Sequence, residues 1–331
     1  MSISRSTDLR VLARHEHDGP ARLVVAAAQL GGPWLDVPAR LARALAAAEL
    51  AAAEGADVLA FPETYLSGYP YWLSRTNGAT FGDPRQKEAY AYYLDTAVEV
   101  GGPEVRQLAA AASDLRLTLV VGITERSYGS TYATVLTIGP DGVAGHHRKL
   151  VPTYDERLVW APGDGAGLTT HPVGPGRIGS LNCWENWMPQ ARQAMYAAGE
   201  DVHIGVWPGS ARLTGDITRF VALEGRVFSV AAGGLLRRDE VPDDFPLAAE
   251  LRADADPMPF DGGSAVAGPD GEWVVPPVRG EEGLIVAALD LRQVRAERFT
   301  FDPAGHYSRP DVFGSTVDRR RRAAATFVDD D

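Results

Sequence analysis

Among 331 residues there is a single cysteine, Cys183. No disulfide and no cysteine-cluster metal site can form within the chain, so any chemistry of this sulfur is that of a free thiol. Cys183 closes an apolar run containing Ile178 and Leu181 and precedes Trp184-Glu185-Asn186-Trp187-Met188-Pro189, where Pro189 suits the first turn of a helix. A thiol at such a strand-to-helix junction feels about half a positive charge from the helix N-terminus. Together with a nearby lysine, that charge is expected to pull its pKa below the free value of about 8.5. The alternative reading is a small buried hydrophobe, which is what most lone cysteines are.

A thiol nucleophile also needs a proton acceptor and a group that stabilises the anion formed on its target. Histidine is the usual base, and His146-His147 stand out among the seven histidines, but neighbours on a strand point to opposite faces, which favours structural or surface roles. Glu63 follows Val58-Leu59-Ala60-Phe61-Pro62 and brings a carboxylate to the mouth of a buried strand, where burial would raise its pKa toward that of a general base. Lys149 likewise ends a strand, with Glu156 following in His147-Arg148-Lys149-Leu150-Val151-Pro152-Thr153-Tyr154-Asp155-Glu156-Arg157. Taken one at a time, each of these charges also reads as an ordinary solvated surface group.

The elements that must position these groups follow from the apolar patterning. Leu23–Leu30 reads as a buried strand, Val37–Glu54 as an Ala/Leu-rich helix closed by Gly55, and Val58–Phe61 as the next strand, which makes a β–α–β opening. Pro62 ends that strand, and the stretch from Thr64 to Thr80, rich in aromatics, Gly and Pro, reads as an ordered loop over the sheet edge. Helices over Gln86–Val100 and Pro103–Leu115 precede a strand at Thr118–Ile123 and a hairpin of Tyr132–Ile138 and Val143–His147 about Asp141-Gly142. The second half alternates again, with strands at Arg177–Asn182, Val202–Val206, Phe228–Leu235, Ser264–Ala267, Trp273–Val275 and Leu284–Leu289, and helices at Met188–Ala198 and Ile217–Val227. This α/β alternation describes sheets covered by helices. With no linker and no repeat, one compact domain over residues 21–315 is expected, between a polar N-terminal extension, 1–20, and a C-terminal tail, 316–331. The acidic, Pro-rich segment Asp239–Pro259 reads as a surface insertion.

Composition narrows the function classes. The hydrophobic fraction of 45% and charged fraction of 23% are those of a globular protein, and a net charge of −12 repels a polyphosphate backbone, so nucleic acid is excluded as a partner. Arg319-Arg320-Arg321-Arg322 and the terminal Asp329-Asp330-Asp331 read as a solvated tail. No run approaches the roughly 18 apolar residues that span a bilayer, and Met1–Pro20 has no apolar h-region, so no membrane association and a cytoplasmic location are expected. Gly174-Pro175-Gly176-Arg177-Ile178-Gly179 formally matches a dinucleotide fingerprint, yet a strand follows it rather than a helix, so it reads as a turn. No P-loop, H-E-x-x-H or C-x-x-C motif is present, and neither cofactor nor metal is implied.

Taken together, Glu63, Lys149 and Cys183 stand in the order and contexts of a known triad. Phe61-Pro62-Glu63-Thr64-Tyr65-Leu66-Ser67-Gly68-Tyr69-Pro70, the run His147–Gly165 and Gly179-Ser180-Leu181-Asn182-Cys183-Trp184-Glu185-Asn186 resemble the glutamate, lysine and nucleophile motifs of the nitrilase superfamily of carbon-nitrogen hydrolases. Further similarity at Trp207-Pro208, Ala222-Leu223-Glu224-Gly225-Arg226, Gly262-Gly263-Ser264, Glu281-Glu282-Gly283 and Gly305-His306-Tyr307-Ser308-Arg309-Pro310 extends it from about Leu23 to Phe313. Ala133, where relatives commonly carry Asn, and the Asp239–Pro259 insertion depart from the pattern. Trp184-Glu185-Asn186 looks like the nitrilase branch rather than the amidase or carbamoylase branches, and cyanide-processing relatives more often carry His and Gln in place of Asn186 and Met188.

The resemblance implies a four-layer α-β-β-α sandwich that assembles into homo-oligomers, dimers or spirals, with Glu63, Lys149, Glu156 and Cys183 as catalytic residues. It implies hydrolysis of a small organic nitrile to its acid and ammonia through a thioimidate and a thioester on Cys183. Tyr65, Trp184, Trp187 and Trp207 could line an apolar substrate pocket, though core packing explains each equally well. An amidase or cyanide-hydrolysing enzyme would use the same four residues, and a non-catalytic binding protein on this fold is the remaining alternative.

Overall fold

The computed structural model describes residues 9–323, 325 and 328. Met1–Asp8 of the expected extension and Asp329–Asp331 of the expected tail lie outside the described residues. In chain order the strands of the first half are β1 (Val11–His15), β2 (Arg22–Gln29), β3 (Val58–Ala60), β4 (Thr118–Ser127), β5 (Ser130–Gly139) and β6 (Gly142–Arg148). The second half adds β7 (His171–Val173), β8 (Gly176–Asn182), β9 (Val202–Trp207), β10 (Phe228–Gly233), β11 (Leu235–Leu236), β12 (Phe260–Ala267), β13 (Trp273–Arg279) and β14 (Gly283–Asp290). The helices are α1 (Val37–Ala53), α2 (Trp72–Arg75), α3 (Pro84–Asp95), α4 (Pro103–Leu115), α5 (Pro189–Ala197), α6 (Ala211–Gly225), α7 (Ala248–Arg252) and α8 (Leu291–Glu297).

The strands form two sheets. One has the order β1-β14-β2-β3-β4-β5-β6 and the other β11-β12-β10-β9-β8-β7, with β13 beside β12. In each, three central strands run parallel (β2, β3, β4 and β8, β9, β10) and antiparallel strands flank them.

The continuous apolar run of β2 explains the layering, because side chains alternate across a strand. Val24, Ala26 and Ala28 pack beneath α1 and α4 with Leu41, Ala44, Ala48 and Leu108. Leu23, Val25 and Ala27 face the other sheet, where they meet Ile178, Val202, Ile204, Phe228 and Val230. Helices α5 and α6 cover the far face of the second sheet through Ala191, Met195, Ile217 and Val221. The result is helix, sheet, sheet, helix, the expected four-layer α-β-β-α sandwich, with each fully buried aliphatic side chain contributing about 1.5–3 kcal/mol. Helix α1 is entered by Asp36, whose carboxylate accepts the Ala39 N–H at 3.0 Å, and Pro38 lies in its first turn.

Several elements differ from the sequence reading. Part of the polar N-terminus is a strand, since β1 pairs parallel with β14 at the sheet edge. The Asp239–Pro259 insertion is anchored rather than superficial: Val241, Phe245, Leu247 and Leu251 are buried with Trp34, Tyr71 and Trp72, which come from α2 and the segments ahead of it and α1. Of the basic cluster, Arg320 stays exposed beside Asp318, whereas Arg321 reaches the Asp164 carboxylate at 3.1 Å and the His146 carbonyl at 2.8 Å. The Gly174-Pro175 pair is the turn joining β7 to β8, as expected of a false fingerprint. Among the described residues, no helix is long and apolar enough to cross a membrane.

Candidate active site

Glu63, Lys149 and Cys183 each sit just past the carboxyl end of a strand, β3, β6 and β8 respectively, and those ends converge. This is where open α/β sheets present their chemistry. At the first, Phe61 still donates its N–H to Val120 O at 2.7 Å, Pro62 has none to donate, and Glu63 N–H turns to the second sheet, reaching Trp207 O at 3.2 Å. Lys149 is held by its main chain, which donates to Ala133 O and accepts from Gly163 N–H, each at 2.8 Å. Cys183 follows β8 in the left-handed region, φ 48°, and opens the 3-10 turn Cys183–Trp187 that leads to α5. For a side chain bearing Cβ this conformation is strained and persists only where its surroundings enforce it.

The Lys149 ammonium donates to Glu63 Oε1 at 2.9 Å and to Glu156 Oε2 at 2.7 Å. Carboxylate oxygens of Glu63 and Glu156 and the sulfur of Cys183 all lie within 4.8 Å of one another. All four side chains are buried. Three such ligand atoms resemble a metal site, but the cation that the two carboxylates hold is the lysine itself.

Glu156 is placed by its own turn. Thr153 N–H donates to its Oε2 at 2.6 Å, and Tyr69 OH donates to its Oε1 at 2.7 Å. Glu63 Oε2 has no partner among the described residues, which leaves a lone pair free to take a proton.

A further carboxylate fixes the frame. Glu185 accepts from Leu150 N–H at 2.8 Å, from Asn182 N–H at 2.9 Å and, within 2.9 Å, from His147 Nε2. It thereby fastens the residue after Lys149 to the residue before Cys183. Burial pushes Glu185 up, but His147 and the two N–H donors outweigh burial and hold it below the usual carboxylate range. His147 is thus a supporting residue, and His146 pairs with Glu125 elsewhere, as their opposite strand faces suggested.

Electrostatics inside the cluster follow from burial. Desolvation pushes Glu63 up to about 8 against the pull of Lys149. Desolvation alone would lower Lys149, yet Glu63, Cys183 and Glu156 together hold its pKa raised, so the ammonium persists. The Cys183 thiol is pushed up by burial and by Glu63, with Lys149 opposing. This corrects the sequence expectation of a depressed thiol pKa: α5 begins only at Pro189, a turn away, and burial outweighs the neighbouring cation.

Above the sulfur opens a cavity of about 610 Å³ whose walls include Tyr69, Trp184, Trp207 and Phe260. Two of the four anticipated pocket residues, Trp184 and Trp207, line it. The other two do not. Tyr65 is turned into the core against Phe61, its ring 5.5 Å away, with its hydroxyl toward Gly31 O. Trp187 stacks on Trp184, its ring 6.1 Å away, and is 40% exposed.

Sequence reasoning passed over Tyr69 and Phe260. It also left unused the Thr153-x-x-Glu156 capping box, a visible signal that Glu156 folds back onto its own turn.

Comparison with known proteins places the chain in a family. The profile of the carbon-nitrogen hydrolase family matches residues 24–299. A nitrilase of Bradyrhizobium diazoefficiens is 38% identical over 86% of this chain and 89% of its own length. An aliphatic nitrilase of Sinorhizobium fredii is 37% identical over 87% and 93%, and one of Rhodococcus rhodochrous 34% identical over 93% and 82%. Among solved structures, a CN-hydrolase superfamily protein of Xanthomonas campestris superposes with a TM-score of 0.65 at 20% identity, covering 86% of this chain and 96% of that one. Saccharomyces cerevisiae Nit3, a member of branch 10 of the nitrilase superfamily, gives 0.65 at 20% over 87% and 97%. With the fold, the converging strand ends and the family profile in agreement over most of its length, the chain belongs to the carbon-nitrogen hydrolase family.

Proposed function

We propose that this chain is a nitrilase that hydrolyses a small organic nitrile to the carboxylic acid and ammonia, with Cys183 as nucleophile, Glu63 as general base, Lys149 as the anion-stabilising cation and Glu156 as the group that orients Lys149. The observation that carries the reading is one ammonium hydrogen-bonded to two buried carboxylates whose oxygens lie within 4.8 Å of the only sulfhydryl in the chain.

Glu63 takes the thiol proton as Sγ attacks the nitrile carbon, and that proton passes to the nitrogen, where Lys149 offsets the developing negative charge. The product is a thioimidate. A first water adds to its carbon, the C–N bond breaks with release of ammonia, and a thioester remains. A second water, deprotonated by Glu63, attacks the thioester carbon, the C–S bond breaks to release the acid, and Glu63 passes the proton it took to the departing sulfur. Two waters are consumed for each nitrile. The raised pKa of Glu63 suits it to this traffic, because a carboxylate poised near neutrality accepts and returns protons readily.

The apolar walls of the cavity, Trp184, Trp207 and Phe260, favour an uncharged organic substrate over cyanide, and several of the similar curated proteins are named nitrilases. Residues 21–315 form the hydrolase domain in this reading, with β1 as an added edge strand and Arg321 of the tail latched to Asp164. The enzyme acts in the cytoplasm as a homo-oligomer, for which exposed Phe220 and Leu223 on α6 supply an apolar face.

A panel of aliphatic, aryl and arylacetic nitriles, each beside its amide, with acid, amide and ammonia all quantified, tests the proposal. Nitrile is expected to give acid and ammonia, and Cys183→Ala to lose turnover by roughly 10⁴-fold or more. Hydrolysis of amides alone would move the assignment to an amidase, and full activity without Cys183 would end it.

A further inference from the structure

Behind the nucleophile turn lies a buried polar chain that the mechanism above does not use. Asn186 Nδ2 donates to Cys183 O at 2.8 Å and to Leu181 O at 3.4 Å. Its Oδ1 faces His203 Nε2 at 2.7 Å, and His203 Nδ1 lies 3.1 and 3.2 Å from the two carboxylate oxygens of Glu200. Asn186, His203 and Glu200 are each at least 98% buried.

Hydrogen-bond inventory fixes the direction of this chain. Were the Asn186 amide reversed, its oxygen would face two carbonyl oxygens, so Nδ2 must point at Cys183 and Oδ1 at His203. His203 Nε2 therefore carries hydrogen. His203 Nδ1 faces the Glu200 carboxylate, so the two ring nitrogens are held between one side-chain oxygen of Asn186 and those of Glu200.

Space for the chain is built into the strands on either side. A Cβ on Gly205 of β9 would meet the Trp207 indole nitrogen at 2.8 Å and Asn186 Oδ1 at 3.3 Å, and one on Gly179 of β8 would meet a Glu200 carboxylate oxygen at 2.3 Å. The second anchor on Asn186 is Arg192, which donates to its main-chain carbonyl at 3.0 Å.

We propose that Glu200, His203 and Asn186 form a positioning relay that holds the carbonyl of Cys183, and with it the strained left-handed backbone that aims the sulfur between Glu63 and Lys149. The proposal rests on the reading of Cys183 as nucleophile. Glu200 holds the His203 ring in place, His203 fixes the sense of the Asn186 amide, and Asn186 grips the nucleophile's own carbonyl. None of the three touches substrate.

Asn186→Ala, His203→Leu, His203→Gln and Glu200→Gln separate this role from simple packing. Three quantities are compared with those of the unmutated protein: kcat and KM on a nitrile from the panel, the second-order rate of Cys183 alkylation by iodoacetamide, and the thermal midpoint. Because Cys183 is the only cysteine, alkylation reports that sulfur alone.

In Asn186→Ala and His203→Leu, kcat and alkylation rate are both expected to fall about tenfold or more with KM unchanged. His203→Gln, which can still present an N–H to Asn186 Oδ1, recovers most of the loss. Glu200→Gln, which keeps the shape and one carbonyl acceptor but removes the negative charge, loses less than His203→Leu.

A lowered thermal midpoint with kcat and alkylation rate unchanged in these variants overturns the relay and leaves only packing. Should His203→Leu fail to fold, the near-isosteric Glu200→Gln and the smaller Asn186→Ala decide the matter by the same readouts. Failure of the underlying assignment looks different, because Cys183→Ala would then retain turnover, whereas a failed relay leaves Cys183→Ala inactive.

Discussion

In the proposed mechanism Glu63 must be both a buried charge and a base, and its surroundings set the compromise. Burial raises it, Lys149 lowers it and Glu156 raises it again, with the balance near 8. A base acts only when ionised, so kcat/KM is expected to rise with pH through an acid limb whose midpoint lies near this value and belongs to the coupled cluster rather than to one residue. The sign of the Glu156 effect follows. Replacing Glu156 by Gln removes a negative neighbour that disfavours ionisation of Glu63, so the limb of the residual activity should move to lower pH as the rate itself drops. A pH profile of kcat/KM in the two proteins checks this, and an upward or absent shift would contradict the assignment of Glu63 as the titrating base.

At the scale of elements, two strands from different sheets must be locked together if Lys149 and Cys183 are to share one substrate. Glu185 performs that junction, since its oxygens accept Leu150 N–H beyond β6 and Asn182 N–H at the end of β8, with His147 closing the third side. Breaking a buried, charge-assisted junction of this kind costs about 3–5 kcal/mol because the partners are left uncompensated. Glu185→Ala is therefore expected to lower the urea midpoint by an amount corresponding to that range and to reduce kcat. A variant that loses neither would show that strand packing alone sets the spacing. The insertion obeys the same logic on the other wall of the site. Phe245 wedges edge-on against Trp34 and Trp72, at 4.9 and 5.7 Å, which anchors the segment leading to Met258 and Phe260 of the cavity wall.

Across the whole molecule, the two sheets bring three strand ends to one place and leave the outer face of α6 open. Phe220 and Leu223 are 46% and 44% exposed there, on the helix that packs beside the Cys183–Trp187 turn. In the proposed homo-oligomer these neighbouring apolar side chains would pack against a second copy of the chain. Light scattering on the purified protein is expected to give a mass of two chains or more, and Leu223→Arg with Phe220→Glu to shift it toward one. A single-chain mass for the unaltered protein would remove oligomerisation from the proposal.

The sequence by itself determined the alternation of elements, because apolar runs with a period of two or of about 3.6 record which faces are buried whatever lies opposite them. It also determined the identity of the sulfur, since no other cysteine competes, and the order of Glu63, Lys149 and Cys183 at strand ends.

The tertiary structure alone decided what surrounds each group. Tyr65 and Tyr69 stand four residues apart in one turn, yet the left-handed Thr64, φ 47°, sends the first into the core and lets the second reach Glu156. Val11–His15 became a strand because β14 offered an edge, and Phe245 became core because Trp34 and Trp72 offered a wall. The thiol's proton affinity went the opposite way from its local reading. Desolvation depends on everything packed around an atom, and local sequence does not specify that quantity.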